Sequence, residues 1–396
     1  MRDYLPVISL FSGAGGLDLA VEQAGRGAGQ TSGPLRVAVA TDYEAQALET
    51  LSLNFPDTPT LCKNIIDTPA EELLERAGLS KGEPTLVIGG PPCTPFSKSG
   101  FWLEEKRESL DPNASLLDEY VRIVRDTMPE AFILENVQGL TYQTHRAQFN
   151  RLLTGLKALG YNPQWKVLLA AEYGVPQLRR RVFVVGRRDG KPFVFPETTY
   201  SGWSEHTRKF DESKTPFVTT LDVIGDLLPG VPEPKEVVDG EFGELAAEVP
   251  AGQNYLWHTE RYGGRNVFKW RSRYWTFLLR LDPNRPASTL QAQPGPWVGP
   301  FHWENVENEA GEKRARRLRV PELLRLMTFP DDFQLAGDRA DIQRQLGNAV
   351  PAKLGRVVVE ALMRQLGHID SDYMDAVIPV QQLAPQQLEL EGWVTI

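Results

Sequence analysis

Residues 89–97 read Gly-Gly-Pro-Pro-Cys-Thr-Pro-Phe-Ser and follow the apolar run Leu86-Val87-Ile88. Cys93 in that loop is one of two cysteines in 396 residues, the other being Cys62. A thiol in a stiff Gly/Pro turn beyond a strand's carboxyl end lies where open α/β sheets place reactive groups. A structural cysteine more often sits inside the apolar run itself. The chemistry such a thiol offers is nucleophilic attack, if a neighbour moves a proton and another clamps the substrate. Glu135-Asn136-Val137, at the end of the apolar run Ala131–Leu134, supplies a carboxyl for the proton. Gln177-Leu178-Arg179-Arg180-Arg181 alternates, so Gln177, Arg179 and Arg181 share one face of an extended segment, with Arg180 opposite. That face suits anions or base oxygens. Each feature also has a plainer reading: a tight turn, a surface carboxylate, a charged edge strand.

These groups need a scaffold, and the first half of the chain describes one. Leu5–Phe11, Leu35–Ala40, Leu86–Ile88 and Ala131–Leu134 are buried-strand candidates. Helical patterns follow the first two, through Leu17–Val21 and Glu44–Asn54, and Ser115–Thr127 is strongly amphipathic. A further helix over about 146–159 precedes two β-rich segments, Trp165–Ala170 and Arg181–Arg187. This alternation predicts an α/β fold, a doubly wound and mostly parallel sheet with helices on both faces. Ser12-Gly13-Ala14-Gly15-Gly16 links the first strand to its helix, where backbone N–H groups approach a ligand closely. Asp42 ends the second strand, either as an acid for ribose hydroxyls or as a helix cap.

Residues 191–300 are rich in Pro, Gly and aromatics and predict a small, irregular, β-leaning domain. Helical sequence returns at 320–328 and after Pro351. The formal net charge is −9, but the charge is segregated. Residues 222–250 hold eight acids and one lysine, whereas 258–286 hold seven Arg/Lys and two acids among Tyr262, Phe268, Trp270, Tyr274, Trp275 and Phe277. Arg179–Arg181 and Lys313–Arg319 are further basic blocks, so the pattern reads as a nucleic-acid footprint on an acidic chain. The cysteines and the scattered histidines form no metal-ligand set, and no GxxxxGK[ST] occurs. Neither a signal peptide nor a membrane-length apolar run is visible, which points to the cytoplasm.

Taken in order, the motifs are far more specific than any one alone. They are 10–16 (Leu-Phe-Ser-Gly-Ala-Gly-Gly), 90–97 (Gly-Pro-Pro-Cys-Thr-Pro-Phe-Ser), Glu135-Asn136-Val137 and Gln177-x-Arg179-x-Arg181. Arg285-Pro286-Ala287-Ser288-Thr289, Thr328-Phe329-Pro330-Asp331-Asp332-Phe333 and Gly347-Asn348-Ala349-Val350-Pro351 complete the set. With these the chain resembles the C5-cytosine-specific DNA methyltransferase family of the restriction-modification type, over about 5–190 and 280–360.

The resemblance implies a Rossmann-like fold that uses S-adenosyl-L-methionine. Cys93 would add to cytosine C6, Glu135 would hold or protonate N3, and Arg179 and Arg181 would position the base. The target base would be flipped out of the duplex. Phe11, Gly13, Gly15, Leu17, Asp42, Tyr43, Asn64, Ile65, Pro91, Leu116, Asn348 and Val350 fall at cofactor positions, and Ser97 at a DNA contact. Asp42 stands where the family usually has Glu, Asn64 where it has Asp, Thr94 where it has Gln, and Asn113 where Arg is common. The implied division is 1–190 catalytic and cofactor-binding, 191–285 target-recognition, 286–365 a return to the catalytic domain, and 366–396 an acidic tail. Arg261, Arg265, Lys269, Arg271 and Arg273 are candidate base readers, with phosphate contact as the plainer role. The implied partners are double-stranded DNA and a cognate restriction endonuclease without a stable complex, and the expected state is a monomer. Methylation of a tRNA cytosine and a regulator lacking catalysis are the rival readings. The length of the basic insertion disfavours the first, and the presence of Cys93 and Glu135 the second.

Overall fold

The computed structural model describes residues 3–26, 33–92, 116–202, 211–227 and 234–370. Cys93, Thr94, Ser97 and Asn113 lie outside the described residues, as does most of the acidic tail. The strands β1 (Leu5–Leu10), β2 (Leu35–Asp42), β3 (Thr60–Cys62), β4 (Leu86–Gly89), β5 (Ala131–Val137) and β6 (Gln164–Leu169) are followed by β7 (Gln177–Leu178) and β8 (Arg180–Arg187). One seven-stranded sheet runs β3-β2-β1-β4-β5-β8-β6. It is parallel except that β8 runs antiparallel to both β5 and β6. The order reverses between β1 and β4, the switch point at which open α/β sheets bind ligands.

The helices α1 (Gly16–Gln23), α2 (Ala45–Asn54), α3 (Ala70–Ala77), α4 (Leu116–Thr127) and α5 (Arg146–Ala158) cross between strands. Strand alternation divides the core in two. Val7, Ile88, Ile133 and Phe183 face one layer, with Leu17 and Val21 of α1. Ile8, Leu10, Val87, Phe132 and Val184 face the other, with Leu73, Tyr120, Ile123 and Leu156 of α3, α4 and α5. Two further short elements, β3 and α3, are not among those expected.

The region that follows is more irregular than expected. Among the described residues its strands are β9 (Tyr200–Ser201), β10 (Thr215–Pro216), β11 (Val237–Val238), β12 (Ala287–Ser288), β13 (Asn305–Glu307) and β14 (Lys313–Arg316), none longer than four residues. Its order comes from an aromatic cluster of Tyr255, Phe268, Phe277 and Phe301, with Phe242 and Trp297 packed edge-on against each other. The short helix α7 (Gly243–Glu248) adds Leu245 and Ala246 to this cluster, whereas α6 (Thr220–Ile224) packs through Val223 and Ile224 in a separate cluster with Leu323 and Leu324.

The chain then returns to the main sheet through α8 (Val320–Leu326), α9 (Arg339–Asn348) and α10 (Ala352–Leu366). α10 lies on α1, where a Cβ at Gly355 would come within 2.8 Å of Ala20. A Cβ at Gly16 would come within 2.4 Å of the Val350 carbonyl, so the glycine loop and the 349–350 segment touch backbone to backbone. Gly16→Ala is therefore expected to destabilise the fold by about 1–3 kcal/mol, the usual cost of overpacking. A lowered thermal midpoint in calorimetry would show it, and an unchanged midpoint would mean that the two segments separate freely.

Candidate active site

Three strand ends on one face of the sheet meet at Glu135. Its parity on β5 matches Ala131 and Ile133, and that of Arg181 on β8 matches Phe183 and Val185. Arg181 stands opposite Val137 in the ladder, so Glu135 is its diagonal neighbour. The Arg181 Nε lies 2.8 Å from Glu135 Oε1, with both side chains about nine-tenths buried (11% and 8% exposed). Burial raises the Glu135 carboxyl above its ordinary value, while Arg181 and then Arg179 pull it back. Gly90 passes directly over this acid, since a Cβ there would sit 3.2 Å from Glu135 Oε2. The neighbouring Asn136 points the other way and donates from Nδ2 to the Pro91 carbonyl at 3.0 Å. The Glu-Asn pair thus presents a carboxyl and anchors the start of the Pro-Pro-Cys loop.

The 177–181 segment alternates as its sequence predicts. Gln177 and Arg179 are fully buried and Leu178 and Arg180 exposed. The roles along that face differ, however. Arg179 donates to three backbone carbonyls: Leu290 at 3.2 Å, Gly347 at 2.7 Å and Ala349 at 2.9 Å. Gln177 accepts from Leu290 N at 3.2 Å and donates to the Leu326 carbonyl at 3.2 Å. These two side chains fasten the returning segments to the sheet, and Arg181 is the one that reaches Glu135.

The glycine loop sits at the switch point. Phe11, Gly13 and Gly15 have φ of 52°, 53° and 79°, so the chain turns sharply between β1 and α1. Nothing lies within 4 Å of a Cβ placed on Gly13, which leaves open space above the loop. Asp42 accepts from Gly13 N at 2.8 Å through one oxygen and from Glu44 N at 2.9 Å through the other. It therefore braces the loop whatever else it binds. Tyr43 beside it is 63% exposed, a free aromatic face at the rim. Asn64 is exposed and its Oδ1 caps the Ile66 amide at 3.1 Å, while Ile65 is buried. Leu17, Pro91, Leu116 and Val350 are buried, and Asn348 is exposed at the end of α9.

The candidate base readers separate into two groups. Arg261 lies 3.9 Å over the ring of Trp270, which stacks with Tyr262 at an interplanar angle of 14°. Arg273 lies over Phe268 and Phe277, Arg271 is 6.0 Å from the Trp270 ring, and Lys269 is exposed. Tyr274 and Trp275 extend this exposed cationic and aromatic surface. Arg265 differs: it is tied to Glu248 at 2.6 Å and to Glu244 at 3.2 Å. Arg261→Ala is expected to flatten the salt dependence of DNA affinity by about one unit of log–log slope, and Arg265→Ala to leave it unchanged. Fluorescence anisotropy across a salt series measures both, and equal slopes would overturn the separation.

The sequence placed Gln177 on the right face, quoted Asn136 and Gly90 within motifs without assigning them a role, and left Asp18 unremarked. Asp18 had a signal, as a charge inside the apolar helical pattern Leu17-x-Leu19-Ala20-Val21. Nothing in one sequence distinguishes Arg179 from Arg181.

The family model for C-5 cytosine-specific DNA methylases matches residues 5–364. The chain belongs to that family. It is a DNA cytosine-5-methyltransferase. It is 67% identical over 396 residues to the Type II methyltransferase M.SacI of Streptomyces achromogenes, covering 98% of this chain and all of the relative. It is also 31% identical over 367 residues to M.MthTI of Methanothermobacter thermautotrophicus, covering 91% of this chain and 98% of the relative. Among solved structures, a Spodoptera frugiperda DNMT2 variant superposes with a TM-score of 0.60 at 17% identity, over 90% of this chain and 99% of that one. Entamoeba histolytica EhMeth gives 0.61 at 16%, over 92% and 99%. These structural likenesses bear on the fold of the methyltransferase, which is the Rossmann-like α/β arrangement expected. No helix among the described residues is long and apolar enough to cross a membrane.

Proposed function

We propose that this methyltransferase takes its methyl group from S-adenosyl-L-methionine and transfers it to a flipped-out cytosine in a short duplex sequence, through a covalent bond from Cys93 to C6. The observation that carries the reading is the buried Glu135–Arg181 pair beside the anchored start of the Cys93 loop. Cytosine C5 is too weak a nucleophile to take a methyl group unaided. Addition of the Cys93 thiolate to C6 makes the ring an enamine whose C5 can. The negative charge that this addition places on the ring is met at N3 by Glu135 in its acid form, which burial favours. Arg181 fixes the orientation of that carboxyl and stands at its side for the base oxygen. After transfer, loss of the C5 proton and departure of Cys93 restore the aromatic ring.

The donor site fits the residues present. The open space over Gly13, the glycine turn braced by Asp42, and the exposed Tyr43 ring suit a ribose and an adenine. The donor, when bound, supplies an electrophilic methyl group. Gly13, Gly15, Asn348 and Val350 would hold its amino-acid end, and Ile65, Pro91 and Leu116 its apolar sides.

Residues 1–190 with 286–365 would form the catalytic part, and 191–285 the part that selects the sequence. The exposed Arg261–Trp275 surface supports a separate selecting part, while Phe301 and Ala315 in the aromatic cluster and the pairing of β14 with β11 carry that part past 285, to about 316. A cytoplasmic, monomeric enzyme protecting DNA from a partner endonuclease is the corresponding biological role, supported by likeness to the Type II methyltransferases.

Duplex DNA carrying 5-fluorocytosine tests the mechanism, because fluorine cannot leave C5 as the proton does. With donor present, a stable protein–DNA adduct is expected, and digestion with mass spectrometry should locate it on Cys93. Turnover without an adduct, or an adduct elsewhere, would overturn the mechanism.

A further inference from the structure

Two arginines line one small cavity that has no acid in its wall. The cavity lies where the loop 290–300 meets α8 and α9, and holds about 300 Å3 of empty space, the solvent at its mouth included. Arg317, Arg339, Gln291 and Gln343 are its polar lining. Arg339 donates to Gln343 Oε1 at 3.1 Å and to the Leu318 carbonyl at 2.6 Å, and its Nε is buried without a partner. Arg317 donates to the Pro296 carbonyl at 2.5 Å and lies over the Phe301 ring at 5.6 Å. A guanidinium carries five N–H donors, so each of the two keeps donors for a further acceptor.

Neither arginine has a counter-ion. Burial lowers both guanidiniums from their ordinary value, and Arg339 lowers Arg317 further. The acids that act on Arg339 in the opposite sense are Glu236 and Glu322. Glu322 is already held by Arg316 at 2.7 Å and by Arg319 at 3.0 Å, and neither acid is in an ion pair with Arg317 or Arg339 among the described residues. Two half-buried like charges on one cavity are costly unless an anion joins them. Two planar forks suit the paired oxygens of a phosphate group.

The position of the cavity says which phosphate. Its loop is held at both ends. Leu290 is clasped by Gln177 and Arg179, two residues before the Arg181 that reaches Glu135. At the other end the Trp297 carbonyl accepts from Leu278 N at 2.9 Å, and Gly299 N donates to the Thr276 carbonyl at 2.8 Å. Thr276 follows the exposed Arg261–Trp275 surface directly in the chain. The loop therefore bridges that surface and the 177–181 segment. A duplex touching both presents one charge per about 1.7 Å of its axis to the groups between them.

We propose that Arg317 and Arg339 together bind one backbone phosphate of the DNA, at the junction of the selecting and catalytic parts. The inference rests on the reading that the Arg261–Trp275 surface faces DNA.

Fluorescence anisotropy of the full-length protein with a labelled mixed-sequence duplex of about 20 base pairs, across a sodium chloride series, tests this. Arg317→Gln is expected to flatten the log–log salt slope by about one unit, and Arg317→Lys, which keeps the charge, to retain it. Arg339→Gln should lose the same unit, and the double variant no more than either, because both arginines serve one phosphate. Should one glutamine variant unfold, the other carries the test. Unchanged slopes, or a slope lost equally in Arg317→Lys, would overturn the proposal. Inorganic phosphate at matched ionic strength is the second probe. If it raises the thermal midpoint of the wild type but not of the variants, while the DNA slopes stay equal, the site takes a free anion and the DNA assignment fails. Arg261→Ala in the same series keeps the two readings apart: a flattened slope there with none in Arg317→Gln sinks this site alone, and the reverse sinks the DNA-facing surface.

Discussion

Glu135→Gln is expected to slow methyl transfer by a factor of about 10²–10⁴, the range over which one positioned acid contributes to a proton-coupled step. Glutamine keeps the shape, and its amide still donates a hydrogen bond toward N3. What it cannot do is give up a proton as charge develops on the ring. The pH profile separates the two effects. Burial raises the wild-type carboxyl, and Arg181 and Arg179 only partly reverse this. The acid form therefore persists above the ordinary carboxylate range and is lost as pH rises through the raised value. The wild-type rate should fall on that alkaline side, and the variant should lack that limb. Single-turnover transfer of a radiolabelled methyl group across the pH range measures both features. A variant retaining more than a tenth of the wild-type rate would show that Glu135 does not carry the proton. Donor affinity should be unchanged, since the carboxyl faces Gly90 and Arg181 rather than the glycine loop.

The elements that place Glu135 were legible because their signals are local. β1, β2, β4 and β5 are short apolar runs bounded by Gly, Pro or charge, and α4 has a full amphipathic period, so each matches its expected range within a few residues. β3 escaped notice because three residues at a sheet edge carry little periodicity, and α3 because its helical spacing of Ala70, Leu73 and Leu74 extends over only eight residues. α9 escaped for a related reason: of its ten residues only Gln345, Leu346 and Gly347 are buried. The aromatic region was the hardest to read, since side-chain packing between distant segments, not strand pairing, gives it order. Motif order identified the family, but it could not say which polar groups in a motif touch the chemistry. The alternation of 177–181 correctly put Gln177, Arg179 and Arg181 on one face. Where that face leads depends on 290, 347 and 349, more than a hundred residues away.

That long-range dependence makes Arg179 a sharper test than its neighbour. Arg179→Met is expected to destabilise the protein by about 3–5 kcal/mol, because the carbonyls of Leu290, Gly347 and Ala349 lose a charged donor in a buried site. Relief from desolvating the guanidinium offsets part of this, which keeps the figure below the sum of three orphaned acceptors. Arg179→Lys is not expected to rescue it: one ammonium cannot span the positions that the two guanidinium nitrogens reach. The loss should propagate to donor binding, since the freed 347–350 turn is the segment that Gly16 meets. Arg181→Met, by contrast, removes a group that pairs with one carboxyl, which can take up a proton in its absence, and should lower the transfer rate with a smaller change in thermal midpoint. Calorimetric unfolding and donor titration of the three variants decide the matter. If Arg179→Met melts like the wild type while its transfer rate collapses, Arg179 acts on the base and not on the scaffold. A drop in midpoint and donor affinity together would make it the clasp that brings the C-terminal motifs to the sheet.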